Sequence, residues 1–514
     1  MSASTRGGGG PAERPRRPER HGVRTALVLG PIVPMTFTAL LAGQAARPVA
    51  GAAGAVVVSI AVVAAVLLVA VAHTARVGAT FLAGLILVPA TFAVVLAGVV
   101  VRVATHDRGI LPELAARGGT SVMEARVATE PRRTDRGFRT VLRVTSVDGV
   151  PTRERAAAVL ETSPALGTSL LVRASARPLP GDGFGRWLAQ QHAAVVLDVR
   201  RADVTGPPGI LGTSSEWVRS RIRVAATRHA AQDAGGLLVG FVTGDTRLLP
   251  EEDVAAMQAT GLSHLTAVSG SNVAVLLGGI AALLAAARLG ARTRWAVLAM
   301  TVPWFAFLTR LEPSVLRAGV MALLVIGAAV RGVARDARHL LAGAVLLLLA
   351  LDPLLSWSLG LLLSAGATLG VLVVAPALAV RLEGRLPRSV AQLLGVTLGA
   401  QIAVAPILIA GFGTIELITV PANMLAVPLA AVGSALAFVG SAVALVSVDA
   451  ASSAFLVASP AAHGVLWVAR VGETLPVAVA LPEGTGWTIV GVAVSVVLMV
   501  LIARLGRPVE DPGR

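Results

Sequence analysis

Thr260–Gly290 reads TGLSHLTAVSGSNVAVLLGGIAALLAAARLG, and this stretch decides the fold. From Val273 onward it is an apolar run of the kind that crosses a hydrocarbon layer about 30 Å thick at about 1.5 Å rise per residue. Its beginning is polar. Ser263, His264, Thr266, Ser269, Ser271 and Asn272 interrupt the run, and Gly261 and Gly270 supply backbone freedom. Each unsatisfied polar group in hydrocarbon costs several kcal/mol, so these residues must face protein or a water-filled cavity. The physical reading is a broken helix beside a translocation path. Immediately upstream, LPEED places Pro250 and acidic residues in the first turn of a helix that Gly261 stops.

Similar apolar runs recur from Thr25 to Arg504 in a chain of 514 residues, 55% apolar and 14% charged. That composition excludes a disordered, collagenous or disulfide-stapled protein, and with no Cys there is no thiolate metal or redox chemistry. Spans are expected near 25–46, 49–72, 78–101, 262–287, 295–310, 315–330, 339–356, 358–380, 390–411, 425–447, 454–470 and 487–503, about twelve crossings. The Pro-bearing stretch 416–430 reads as spanning or re-entrant. The first run has the basic flank of a signal peptide and small residues at Gly43–Ala45, but its long tail, two prolines and the spans that follow favour an uncleaved helix.

All 44 basic residues are Arg, and Tyr is absent. Abundant Ala, Gly, Val, Pro and Arg is the coding bias of a GC-rich bacterial genome, so the net charge of +15 reports codon usage and membrane orientation before any nucleic-acid partner. Residues 1–24 carry an Arg-rich, Gly/Pro-rich tail that cannot build a core. This tail, the loops at Arg288–Arg294, Arg331–Arg338 and Arg381–Arg388, and the C-terminal tail all fall on the cytoplasmic side by the positive-inside rule.

Between Arg102 and Asp233 no stretch is apolar enough to span. Alternation at Val122–Ala128, Phe138–Val147, Leu170–Ala176 and Val195–Val199, punctuated by Gly, Pro and Asp, predicts short strands of an outward-facing five-stranded OB-type barrel. Such barrels stack single-stranded bases on aromatics over a basic groove. Here the strands offer only Phe138, while Phe184 and Trp187 fall in a GDGFGRWL loop, so a bracing domain and a DNA-binding one both stay open. Residues 213–234 predict an amphipathic interfacial or connecting helix, with Trp217, Val218, Ile222, Ala225 and Ala226 on one side and Arg219, Arg223 and Arg228 elsewhere. The expected fold is a polytopic α-helical membrane protein of about twelve transmembrane helices with an inserted extracytoplasmic OB-like β-barrel. Its parts are a tail (1–24), three spans (25–101), the barrel (102–212), the amphipathic helix (213–234), a transmembrane channel domain (235–447), C-terminal spans (448–504) and a tail (505–514).

TGLSHLTAVSGSNVAVL closely resembles the TGLxHLxAVSGxxV signature of ComEC-type competence proteins. GLLVGFVTGDTRLLPEE upstream, LRAGVMALL at Leu316–Leu324, LDPLLSWSLGLLLSAGATLG at Leu351–Gly370 and PANMLAVPL at Pro421–Leu429 resemble further blocks of that family in the same order. GDGFGRWLAQQHAAVVL is similar to its N-terminal OB-like region. The resemblance implies a channel in the bacterial plasma membrane for single-stranded DNA during natural transformation, with both termini cytoplasmic. It also implies partners: a DNA receptor outside, and a cytoplasmic DNA-translocating ATPase and single-strand-binding protein inside. Two departures stand out. Gly360–Ser364 reads GLLLS where the family often has Gly-Phe-Gln before its Leu-Ser pair. Many members also continue into a metallo-β-lactamase-like domain, whereas this sequence stops at Arg514 and its eight His form no HxHxDH cluster, so no nuclease activity is expected.

A DNA strand carries one phosphate charge per nucleotide, so its path must be hydrated and lined by groups that bind weakly enough to release it. The candidate lining is Asp245, Ser263, His264, Thr266, Ser269, Gly270, Ser271, Asn272, Arg317, Ser364, Gln401 and Asn423. Arg317 attracts phosphate, or it pairs with Glu312 or snorkels. His264 contacts a base or caps helix-end carbonyls. Asp245 in TGDT binds a cation or closes an Asx-turn. AVSGSN lacks the G-x-S-x-G elbow of a serine hydrolase, and with no Lys there is no nucleotide-binding G-x-x-x-x-G-K-[ST] loop. No catalytic role, cofactor or metal is therefore expected, and lipid is the surrounding medium. A small-solute transporter and a membrane-embedded hydrolase are the competing readings, and the path lies within one protomer or between two in a homodimer.

Overall fold

The computed structural model describes residues 109–475 except 182, 334, 335 and 413, together with 478–480, Thr36 and Leu40. The spans expected over 25–101 and 487–503 and both tails lie outside the described residues, save for Thr36 and Leu40.

The first described part is a β domain. Helix α1 (Ile110–Arg117) precedes β1 (Ser121–Val127), β2 (Arg132–Thr134), β3 (Gly137–Val147), β4 (Val150–Pro151), β5 (Arg155–Leu160) and β6 (Ser169–Pro178). Helix α2 (Gly183–Gln190) and β7 (Ala193–Gly206) follow. The pairings run β1 to β3, β3 to β5, β5 to β7, β7 to β6 and β6 back to β1, so five strands close a cycle. All pairs are antiparallel except β5 with β7, whose parallel pairing requires the crossover through β6 and α2. Strict alternation builds the interior: Met123, Ala125 and Val127 of β1, and Leu170, Val172 and Ala174 of β6, are buried in one core. Small residues such as Ala156 and Ala158 suit the tight interior.

All four expected strands are present, but β5 was not anticipated. Its RAAAVL sequence has no aromatic and a single β-branched residue, Val159, and its place comes from pairing on both sides. The GDGFGRWL stretch expected as a loop instead holds α2. Phe184 and Trp187, three residues apart, stack at 5.9 Å between centroids, and the Arg139 guanidinium of β3 lies 5.0 Å from each ring.

The chain then becomes helical: α3 (Ile210–Thr227), α4 (Gln232–Thr243), α5 (Glu251–Ala259), α6 (Ser263–Thr266), α7 (Gly270–Ala286), α8 (Ala291–Leu308) and α9 (Pro313–Val330). After α10 (Ala337–Leu351) and a 3-10 turn at Pro353–Trp357 come α11 (Leu359–Val373), α12 (Ala375–Leu382) and α13 (Arg388–Phe412). Strand β8 (Thr414–Glu416), α14 (Thr419–Ala444), α15 (Val448–Glu473) and β9 (Ala478–Ala480) complete it, with β8 and β9 antiparallel. Among the described residues five helices are long and apolar enough to cross a membrane, or six if the bent pair α11 and α12 counts as one. The protein is a helical membrane protein, and among the described residues its β domain lies ahead of the apolar helices.

The expected single span at 358–380 is bent by 43° between α11 and α12. Pro376 lies in the first turn of α12, where it donates no N–H and crowds the preceding turn. Conversely, α14 runs unbroken through Pro428 across most of the stretch considered re-entrant. One expectation for 213–234 is reversed. In α3, Arg219 lies on the buried side with Val218, Ile222, Ala225 and Ala226, whereas Trp217 is half-exposed with Arg221 over its ring.

The N-terminus of α1 has no side-chain cap of its own. Its Ile110 and Leu111 N–H groups donate to the Glu154 carboxylate at 2.8 and 3.0 Å, which holds Leu111 in the β-domain core. Glu154→Ala should strand both donors and loosen α1 by about 1–2 kcal/mol. Hydrogen–deuterium exchange over 110–117 should then accelerate by about five- to thirtyfold.

Candidate functional site

The broken segment read from the sequence is present as a short helix, an extended link and a long helix. α6 holds Ser263, His264 and Thr266, and each bonds a nearby backbone carbonyl: Ser263 donates back to the Met257 carbonyl of α5 at 3.3 Å, Thr266 to the Ser263 carbonyl at 2.8 Å, and His264 Nδ1 lies 3.0 Å from the Gly261 carbonyl. His264 is thus a helix-end residue on a backbone carbonyl. α7 then starts at Gly270, with Ser269 extended at its N-cap, its hydroxyl accepting no bond from the backbone N–H groups of the first turn. The Ser269 hydroxyl lies 2.5 Å from that of Ser271 and 3.4 Å from Asn272 Oδ1, and among the described residues no histidine or carboxylate bonds it. Asn272 is buried and donates to the Phe241 carbonyl at 2.6 Å, which ties α7 to α4.

Arg317 of α9 faces the start of α7. A Cβ placed on Gly270 would stand 3.2 Å from Arg317 Nη2, so the guanidinium lies against the backbone of the first turn. Its Nε donates to Ser364 of α11 at 3.0 Å, and Ser314 lies 3.1 Å from the same hydroxyl. Arg317 is 5% exposed and has no carboxylate partner among the described residues; Glu312, one of the alternatives weighed for it, instead faces Arg132 at 4.0 Å. A helix N-terminus carries partial positive charge and unpaired N–H groups. The cradle thus sets a guanidinium without a carboxylate partner among the described residues, and the Ser364 hydroxyl, against the start of α7, where Ser269 and Ser271 also lie.

The structure gathers Ser269, Gly270, Ser271, Asn272, Arg317 and Ser364 at this cradle. It does not bring Asp245, Gln401 or Asn423 into hydrogen-bond contact with Arg317. Gln401 lies midway along α13, and Asn423 of α14 donates to the Thr419 carbonyl at 2.8 Å while its Oδ1 is buried without a partner.

Asp245 belongs to a second cluster that sequence reasoning missed. Arg219, 0% exposed, donates to Glu130 at 2.7 Å and to the Thr243 and Leu308 carbonyls at 3.0 Å, and lies 3.2 Å from Asp245. Asp245, 1% exposed, also accepts from Arg223 at 3.1 Å and from Arg247 Nε and Nη2 at 2.8 and 2.6 Å. The Arg247 backbone N–H donates to it at 3.2 Å, so the expected Asx-turn exists inside an ion-pair network. Glu216 joins Arg223 at 2.6 Å to Arg310 at 2.8 Å. Only the Asp245–Arg247 spacing was legible beforehand; residues 130, 216, 219 and 310 meet through tertiary packing.

The family matched by this chain is the Competence protein family, over residues 241–508, more than half of its length. The chain belongs to the competence protein family. It is also similar to ComE operon protein 3 of Bacillus subtilis strain 168, with 31% identity over 198 residues. That alignment covers 38% of this chain and 24% of the relative, so the chain spans about a quarter of the curated relative it matches. No solved structure matches. Both the cradle at Gly270 and Arg317 and the Asp245 turn lie within the competence region.

Burial pushes the carboxyl groups of Asp245 and Glu216 up, but their arginine partners outweigh it and hold both below the usual carboxylate range. A depressed carboxyl pKa stabilises the fold at every pH above the ordinary value near ~4 and loses that contribution as pH falls through it toward the folded value. Protection of residues 210–227 in hydrogen–deuterium exchange, corrected for intrinsic rates, should therefore stay level from about pH 7 to 5 and decline below about pH 4. Asp245→Asn should cost about 3–5 kcal/mol by leaving buried arginine charge uncompensated, read as reduced membrane abundance.

Proposed function

We propose that this competence protein forms a conduit for single-stranded DNA across the bacterial plasma membrane and that the cradle at the start of α7 binds the strand's phosphates in passing. The observation that carries this reading is Arg317, a cation buried in a helix long enough to span, with no carboxylate partner among the described residues, against an uncapped helix N-terminus. Leaving a charge in that position is costly unless an anion or water visits it. Weak hydroxyl and amide contacts beside it suit a ligand that must be released.

In this reading about twelve helices cross the membrane with both termini cytoplasmic, and the β domain lies outside. The closed cycle of five strand pairings supports an OB-type barrel for that domain. The chain conducts rather than catalyses. Receptor, translocating ATPase and single-strand-binding protein supply capture, drive and protection, and the path runs within one protomer or between the two of a homodimer.

Arg317→Ala should lower transformation by linear homologous DNA by about tenfold to a hundredfold, the loss expected for one charge-assisted contact. Plasmid uptake by electroporation and membrane abundance should be unchanged. Gly270→Ala, whose new methyl would stand 3.2 Å from Arg317 Nη2, should give a smaller loss in the same direction. Wild-type transformation by Arg317→Ala at equal abundance overturns the reading.

A further inference from the structure

Arg310 is a second buried cation whose donors are not used up. Its side chain is 8% exposed, its Nη2 donates to Glu216, and its Nε and Nη1 are buried with no hydrogen-bond partner. The Nε of Arg219 is also buried and unpartnered. Arg310 and Leu311 have φ values of 64° and 57°, two consecutive left-handed residues that are not glycine. Such outliers persist only where the surroundings hold them, and here they turn the Arg310 side chain in toward Arg219 and Glu130.

Around this point the guanidiniums of Arg219, Arg223, Arg247 and Arg310 face the carboxylates of Glu130, Glu216 and Asp245, with the Arg132–Glu312 pair alongside, and the cluster as a whole carries one more arginine than carboxylate. Glu216 and Asp245 come from the helical part itself, whereas Glu130 is delivered by the link between β1 and β2 of the β domain. Its Oε1 lies 2.7 Å from Arg219 and 3.1 Å from Arg247, and its Oε2 lies 3.7 Å from Arg310. A carboxylate held by three arginines with free N–H groups beside it occupies the position a phosphate oxyanion would take.

We propose that Arg219, Arg247 and Arg310 form a second oxyanion site, filled in this conformation by Glu130, and that a phosphodiester of single-stranded DNA displaces Glu130 and frees the β domain from the helices. Displacement is an exchange of anionic ligands on the same donors. A phosphate, with more acceptor oxygens than a carboxylate, also reaches the idle Arg310 N–H groups. The proposal rests on the reading of the chain as a DNA conduit.

The test uses the full chain in detergent micelles and a fluorescein-labelled oligothymidylate followed by anisotropy. Glu130→Gln keeps the side-chain shape and removes the competing charge, so binding should tighten by about tenfold. The slope of log affinity against log salt should steepen by about 0.7, one more phosphate engaged. Arg310→Gln should weaken binding, and Arg247→Gln, in a more exposed position, gives the same readout if Arg310→Gln does not fold. Because the chain has no Cys, Val204→Cys with Glu251→Cys takes spin labels on the β domain and on α5 alone. Oligothymidylate should lengthen or broaden that distance in otherwise wild-type protein. A merely structural Glu130 predicts lower thermal stability for Glu130→Gln with unchanged affinity and salt slope. That result, with Arg317→Ala still impaired, overturns the displacement proposal and leaves the conduit reading standing. Absence of oligothymidylate binding by the wild type and by every variant overturns both.

Discussion

Arg219 has no contact with solvent, and much of the architecture around it keeps its charge compensated. An uncompensated charge at such a depth costs several kcal/mol, so whatever surrounds it must arrive with carboxylates and carbonyls correctly placed. Glu130 comes from the β domain, Asp245 from the turn after α4, and backbone carbonyls from the ends of α4 and α8. One guanidinium therefore sets how the β domain, α3, α4 and α8 meet. Arg132 beside Glu312, and His192 of the β domain at 2.8 Å from Asp352, add ties across the same junction.

Arg317 obeys the opposite rule. It too is buried, yet what faces it is a serine, a methionine sulfur at 3.3 Å and the positive end of α7. Folding alone gives no reason to keep a cation there, because a leucine would pack at lower cost. The contrast is between a cation whose carboxylates arrive with the fold and one that no carboxylate of the described residues meets. Its placement at the break between α6 and α7, where irregular backbone is tolerated only against protein or water, agrees with a hydrated path.

Much of this was legible in the sequence because the signals were local. Apolar run length foretold α7, α9, α13, α14 and α15, and the polar interruption from Ser263 to Asn272 foretold a break just before α7. Period-two alternation found β1, β3, β6 and β7. It failed on β5, whose alanines carry no strand signal and whose conformation is imposed by its neighbours. It failed likewise on α2, where stacking of Phe184 on Trp187 under Arg139 outweighs two glycines.

The sequence by itself determined that the chain is a membrane protein with a β domain, that it resembles competence proteins, and that Arg317 and the serines near Gly270 are out of place in hydrocarbon. Run length, alternation and polarity act over a few residues, so they are readable without coordinates. Only the tertiary structure decided which charges are spent. Arg219 reads as lying on the polar side of an amphipathic helix and is the most deeply buried cation among the described residues, while Glu312, one of the alternatives weighed for Arg317, faces Arg132 instead. Coulombic pairing depends on distance in space, and the residues that meet at Arg219 lie up to 89 positions from it on either side along the chain.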